Sequence, residues 1–300
     1  MKPIIINPKK IRLKNLLLSL ILVSGFISQV HADTDQDVSY SETLLKKAQS
    51  GDAQAQYDLG EAYYNASGVD ENFEDALMWY QKAAAKGHLE AEYSTAYLLD
   101  YGEGAEENNA EAMKWYNKAA KKGHALAQYQ LALTLQDGED GVTADPKQAV
   151  FWMTKAAEKG LDSAQYSVGS YYESGSYVAQ DYNKAVKYYK LAVAQGNADA
   201  QNNLGTLYQS GEGVKKNDTE AMRLFTLSAA QDNAHAYYNL ANIYVDGNGV
   251  EKNYKVASEY YILAIEFGHE DAAAELAELY KVGGFGLKKD LKKAREFLKE

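Results

Sequence analysis

Two alternations of apolar and polar positions run through most of this chain. In Ala55-Gln56-Tyr57-Asp58-Leu59-Gly60 and the residues after it, Ala55, Leu59 and Tyr63 stand at i, i+4 and i+8. That spacing lines one face of a helix. In the second pattern Ala76, Trp79, Tyr80, Ala83 and Ala84 stand at i, i+3, i+4, i+7 and i+8, with Gln81 and Lys82 turned the other way. This is an amphipathic helix with a broad buried face. Both patterns recur. The first alanine returns as Ala91, Ala127, Ala164, Ala200, Ala236 and Ala272, at spacings of 36, 36, 37, 36, 36 and 36. The second returns in register as Ala112, Ala149, Ala185, Ala221, Ala257 and Ala294. Two interleaved ladders predict a unit of two antiparallel helices, stacked seven times. Bulky rings alternate with alanines on the second helix, so it can approach its neighbours at one level and fill space at the next.

Glycines punctuate the pattern. Gly87, Gly123, Gly160, Gly196 and Gly268 follow the second helix, where a left-handed residue is expected, and Asp232 takes that place once. Gly102-Glu103-Gly104, Gly211-Glu212-Gly213-Val214 and Gly247-Asn248-Gly249-Val250 fall between the two helices. Gly138-Glu139-Asp140-Gly141 and Gly283-Gly284-Phe285-Gly286 each carry one residue more, whereas Asn65-Ala66-Ser67-Gly68 and Gly175-Ser176-Tyr177 keep one glycine of the pair. The pattern Ala-x-Ala-x-Tyr-x-Leu-Gly, then Gly-x-Gly-Val, then Ala-x-x-Trp-Tyr-x-x-Ala-Ala-x-x-Gly resembles the Sel1-like repeat family. That family is close to the tetratricopeptide repeats, whose period is about 34 residues. The resemblance covers residues 53–300. It implies an all-α fold: a right-handed α/α superhelical solenoid of about seven helix-turn-helix repeats forming one domain. Residues 41–50 match the second helix of a missing repeat and are expected to cap the stack behind an acidic segment that starts at Asp33. The last repeat stops inside its second helix, where Lys288, Lys289, Lys292, Lys293 and Arg295 make the end polar.

Residues 1–32 stand apart from this pattern. Lys2, Lys9, Lys10, Arg12 and Lys14 precede an apolar run from Leu16 to Ile27, and Val30-His31-Ala32 offers a cleavage site. This is expected to be a signal peptide cleaved after Ala32, which places the mature protein in the periplasm or outside the cell. The alternative is an uncleaved anchor, although the run is shorter than the roughly 20 residues a spanning helix needs. The leader holds five basic residues and no acidic one, so the remainder carries 26 basic residues against 42 acidic, a formal charge of −16. Such a chain repels phosphate backbones and anionic membranes, which argues against nucleic-acid binding. Cysteine is absent, and with it any disulfide, thiolate metal site or cysteine nucleophile.

Catalytic chemistry finds little purchase in this sequence. His88, His124 and His269 share one register of different repeats and are expected at the surface, too far apart to ligate one metal. Asp137, Glu139, Asp140 and Asp145 crowd one loop, as calcium ligands or as a solvated acidic loop. Trp79, Trp115 and Trp152 are expected in the core. No catalytic residue, cofactor or metal site is assigned. Some cysteine-rich members of the family are penicillin-binding or β-lactamase-like, so an envelope hydrolase is the alternative function, disfavoured here by the lack of cysteine. The leading expectation is a scaffold or regulator that holds a protein or peptide. By resemblance to tetratricopeptide-like solenoids, the ligand would lie in a concave groove lined by the first helices. The expected contacts are Gln54, Tyr57 and Glu61 with their counterparts Glu90, Tyr93, Tyr97, Tyr129, Leu133, Tyr166, Asn202, Tyr238 and Asn242. Gln56, Asp58 and Gln130 lie outside that stripe and are expected to tolerate alanine.

Overall fold

The computed structural model describes residues 39–138 and 142–298. The expected leader, most of the acidic segment after it, Glu139, Asp140 and the last two residues lie outside the described residues. Among those described there are fifteen α-helices and no strand, which is the all-α class expected. They pack as two compact units. One comprises residues 39–88 and 103–105 and contains α1 (Glu42–Gln49), α2 (Ala53–Tyr64) and α3 (Phe73–Ala85). The other comprises 89–102 and 106–298. It contains α4 (Leu89–Tyr101), α5 (Asn109–Lys121), α6 (Ala125–Asp137), α7 (Pro146–Glu158), α8 (Asp162–Ser174), α9 (Tyr182–Ala194), α10 (Ala198–Ser210), α11 (Asp218–Ala229), α12 (Ala234–Asp246), α13 (Tyr254–Glu266), α14 (Ala272–Val282) and α15 (Leu291–Leu298).

In the larger unit each helix packs against the one before it and the one after it. The start of each second helix is fixed by a polar residue the alanine ladders do not reveal. Asn108, Asp145, Asp181, Asn217 and Asn253 each accept the N–H three residues on, at 3.0 to 3.1 Å. Their own N–H groups donate back to carbonyls of the preceding first helix, as in Asn108 to Leu99 (2.8 Å) and Asn217 to Tyr208 (2.8 Å). One side chain thus caps the second helix while its backbone clasps the first, which satisfies end groups that would otherwise lack partners. Asn72 does the same in the smaller unit, accepting from Asp75 and donating to Tyr63.

Glycine is required where the inter-helix loop meets other backbone. Gly213, at φ +68°, would place a Cβ 2.4 Å from the Tyr182 carbonyl oxygen, so no other residue fits without a shift. The residues closing the second helices at Gly123, Gly160, Gly196, Asp232 and Gly268 all have positive φ, as the sequence predicts.

Inside most hairpins a ring of the second helix is fully buried, with Met153 taking that place on α7, and where the first helix offers glycine the ring lies against it. Tyr116, Tyr189, Phe225 and Tyr261 are at most 1% exposed. A Cβ on Gly169 or Gly205 would stand 2.6 Å from Tyr189 and 2.7 Å from Phe225. Tyr80 and Gly60 repeat this contact in the smaller unit. The tryptophans differ from expectation. Trp79 is buried, but Trp115 and Trp152, one position before the fully buried residue, are only half-buried. Their position is at the rim of the helix interface, where the Lys118 ammonium sits 4.5 Å from the Trp115 ring centre.

Candidate functional site

The expected contact residues lie on the first helices, and most of them are engaged by their own fold. In the smaller unit, Gln54 is exposed at the start of α2, donating to Asp58 (2.7 Å) and lying 3.0 Å from His88 Nε2. Tyr57 is half-buried between two rings, with His88 stacked at 4.7 Å and Tyr80 at 5.7 Å. Glu61 accepts the Tyr80 hydroxyl at 2.7 Å. Burial, followed by the negative charge of Glu61, drives that phenol far above its ordinary range. Glu61 is therefore a structural acceptor for a buried tyrosine, which the sequence does not disclose.

The larger unit repeats the sandwich with variations. Tyr93 stacks on His124 at 4.5 Å and lies 5.9 Å from Tyr116. Tyr238 stacks on His269 at 4.1 Å and lies 5.7 Å from Tyr261. Tyr166 faces Tyr189 at 5.9 Å. Tyr129 and Leu133 pack half-buried against the core around Val168 and Tyr171. Tyr97 continues along α4, with its ring 4.6 Å from Tyr101. Asn242 accepts the Tyr261 hydroxyl, as Glu61 does for Tyr80. Asn202, in the tyrosine register, is buried rather than presented: it accepts from Asn239 (2.9 Å) and donates to Asn203 (3.2 Å). A short amide in place of a ring sinks between helices and ties α10 to α12.

The histidines are not surface residues of the kind expected. His124 is buried, and its Nδ1 accepts the Ala127 N–H at 3.1 Å. The ring proton therefore sits on Nε2, which donates to Glu90 at 2.9 Å. One imidazole caps α6, covers Tyr93 and orients Glu90. His269 covers Tyr238 in the same way, and burial together with neighbouring His235 lowers its pKa.

A second ladder lies beneath the tyrosines. Gln56, Gln128 and Gln165 are buried and donate to the carbonyls of Ala48 (3.1 Å), Ala120 (3.0 Å) and Ala157 (3.3 Å). Gln56 is thus a structural bond, not the neutral position expected of it. In α4 the same place holds Glu92. Its side chain is fully buried, and Lys118 (3.0 Å) and Lys122 (2.8 Å) meet its carboxylate. Among the described residues no three histidine or acidic side chains are placed to hold one metal ion. No helix there is long and apolar enough to cross a membrane. Glu139 and Asp140 of the acidic loop fall outside the described residues.

The profile of the Sel1 repeat matches seven times, at residues 53–88, 89–124, 125–161, 162–197, 198–233, 234–269 and 270–300, in step with both alanine ladders. Among solved structures, the chain is similar to c5321, a protective antigen of uropathogenic Escherichia coli strains that displays this fold. The two share 32% identity over 86% of this chain and 63% of that one, with a TM-score of 0.70. A Sel1 repeat protein from Oxalobacter formigenes is 29% identical over 81% of this chain and 95% of that one, with a TM-score of 0.72. No curated protein matches.

Proposed function

Since the chain belongs to the Sel1 repeat family, whose all-α solenoid fold is of the kind that serves as a scaffold for protein contacts, we propose that it holds a protein or peptide on its first helices in the periplasm or outside the cell. The observation that carries this reading is the row of half-buried tyrosines on α4, α6, α8 and α12. Tyr93, Tyr166 and Tyr238 are each held by a second-helix ring or a histidine, Tyr129 packs against the core around Val168, and the neighbours of these rings differ between repeats. Rings already immobilised lose little entropy on binding and offer a large apolar area with a hydroxyl handle. The differing neighbours supply the selectivity. The charged leader and Val30-His31-Ala32 support export.

Photo-crosslinking residues incorporated singly in intact cells test the face. Glu90, Asp199 and Thr206 are exposed on first helices, and Lys187 and Glu259 are exposed on second helices. The same partner should be captured from the first set and not from the second. Capture from the second set alone would overturn the assignment.

A further inference from the structure

Charge in the larger unit is sorted by helix. The first helices α4, α6, α8, α10 and α12 contain eight Asp or Glu and neither lysine nor arginine, whereas the second helices α5, α7, α9, α11 and α13 contain ten Lys or Arg beside six Asp or Glu; of the first helices in this unit, α14 departs from the pattern with Lys281. Buried Glu92 has its charge met by lysines. On α8 and α10 the carboxylates are held differently. Asp162 accepts from Asn197 (2.8 Å), Asp199 from Asn233 (2.9 Å), and Glu173 from Asn203 (3.3 Å) and the Tyr189 hydroxyl. All of these donors are neutral. They fix the carboxylates in position and leave the negative charge uncancelled.

Tyr166 stands among these groups. It is half-buried against Tyr189, and its phenol is pushed up first by burial and then by the charges of Asp199 and Glu173. Two carboxylates therefore act on the surroundings of one ring. We propose that the face of α8 and α10 centred on Tyr166, Glu173 and Asp199 docks a cationic stretch of the partner, a peptide segment bearing arginine or lysine. This rests on the scaffold reading above and adds the partner's charge to it. A guanidinium can lie on a tyrosine face while pairing with an adjacent carboxylate. The chain makes the same kind of contact internally, with Lys184 Nζ 4.9 Å from the Tyr172 ring centre. Neither α8 nor α10 carries a lysine or arginine, so the cation on this face is left to the occupant.

The test is fluorescence anisotropy of the full chain with a labelled peptide of alternating arginine and serine, beside its citrulline analogue. The arginine peptide should bind, the citrulline peptide should not, and affinity should fall as salt shortens the Debye length. Glu173→Gln with Asp199→Asn should weaken binding about tenfold, equivalent to roughly 1.4 kcal/mol. Glu259→Gln with Glu266→Gln, exposed on α13, removes the same formal charge and should leave binding unchanged. Thr206→Lys, an exposed change on α10 that spares the asparagine–carboxylate bonds, should weaken binding as well. Equal effects from the two charge pairs, equal binding of citrulline, or no binding at all would overturn the proposal. So would crosslinks from Asp199 and Thr206 to a neutral or acidic partner segment, which would leave the scaffold reading standing. Crosslinks from second helices alone would end both.

Discussion

At the scale of single residues, adjacent positions on one helix have very different weights. Tyr116 is 1% exposed and fills the space between α4 and α5, while Trp115 is half-buried at the rim beneath Lys118. Tyr116→Ala should therefore cost about 3–5 kcal/mol through the cavity it leaves. Trp115→Ala should cost roughly half of that, although tryptophan is the larger side chain. Chemical denaturation of the two variants checks the order, and a reversed order would show that the rim tryptophan is the true core. Glu92 gives a second case. Its buried carboxylate depends on Lys118 and Lys122. Replacing both lysines by methionine should cost about 3–5 kcal/mol, because a buried charge loses its compensation. Adding Glu92→Gln should restore most of that loss, and a triple variant as unstable as the double would disprove the coupling.

At the scale of the element, a helix pair is held by its ends as much as by its stripe. The Asp181 carboxylate accepts the Lys184 N–H at 3.1 Å. This bond, ahead of the smaller contribution of Lys184's charge, holds the Asp181 pKa below the ordinary carboxylate value. A depressed carboxyl pKa means that the unfolded chain binds the proton more readily. The contribution of this cap is complete above the unfolded value and disappears as pH falls through the folded one. Asn253 caps α13 in the same geometry, with no titrating cap and no acidic residue in the first turn. Relative to the intrinsic exchange rate at each pH, amide protection at the start of α9 should therefore fall in acid while that at the start of α13 does not, and Asp181→Asn should abolish the difference. An unchanged acid response in that variant would place the titration elsewhere. The helices, their pairing and the left-handed closures were legible in the sequence, because each depends on local spacing of alanine and glycine. The candidate face was legible only in outline. A tyrosine every 36 residues does not disclose whether its ring meets solvent or a neighbour. A histidine 31 residues after Tyr57, Tyr93 and Tyr238 was the available signal for stacking. Asn202 sinks where tyrosine stands elsewhere, and Glu61 and Asn242 turn inward to buried hydroxyls, because those partners lie on another helix that no single stripe can show.

At the scale of the whole molecule, each repeat relies on its neighbours but closes its own hairpin. The caps at Asn108, Asp145, Asp181, Asn217 and Asn253 join the two helices of one repeat and reach no further. Tension applied between the ends of the larger unit would load the contacts between repeats before it loads these clasps. The expected force–extension trace is a staircase rather than a single rupture. Every step should free one repeat of about 36 residues, a gain in contour length of roughly 12 nm. Optical tweezers would resolve that staircase, and a single rupture releasing the whole length would show the repeats to be bound into one mechanical block. With a spacing of this kind, a protein anchored at one end and bound at the other would pay out slack in fixed increments and take it up again as the load falls.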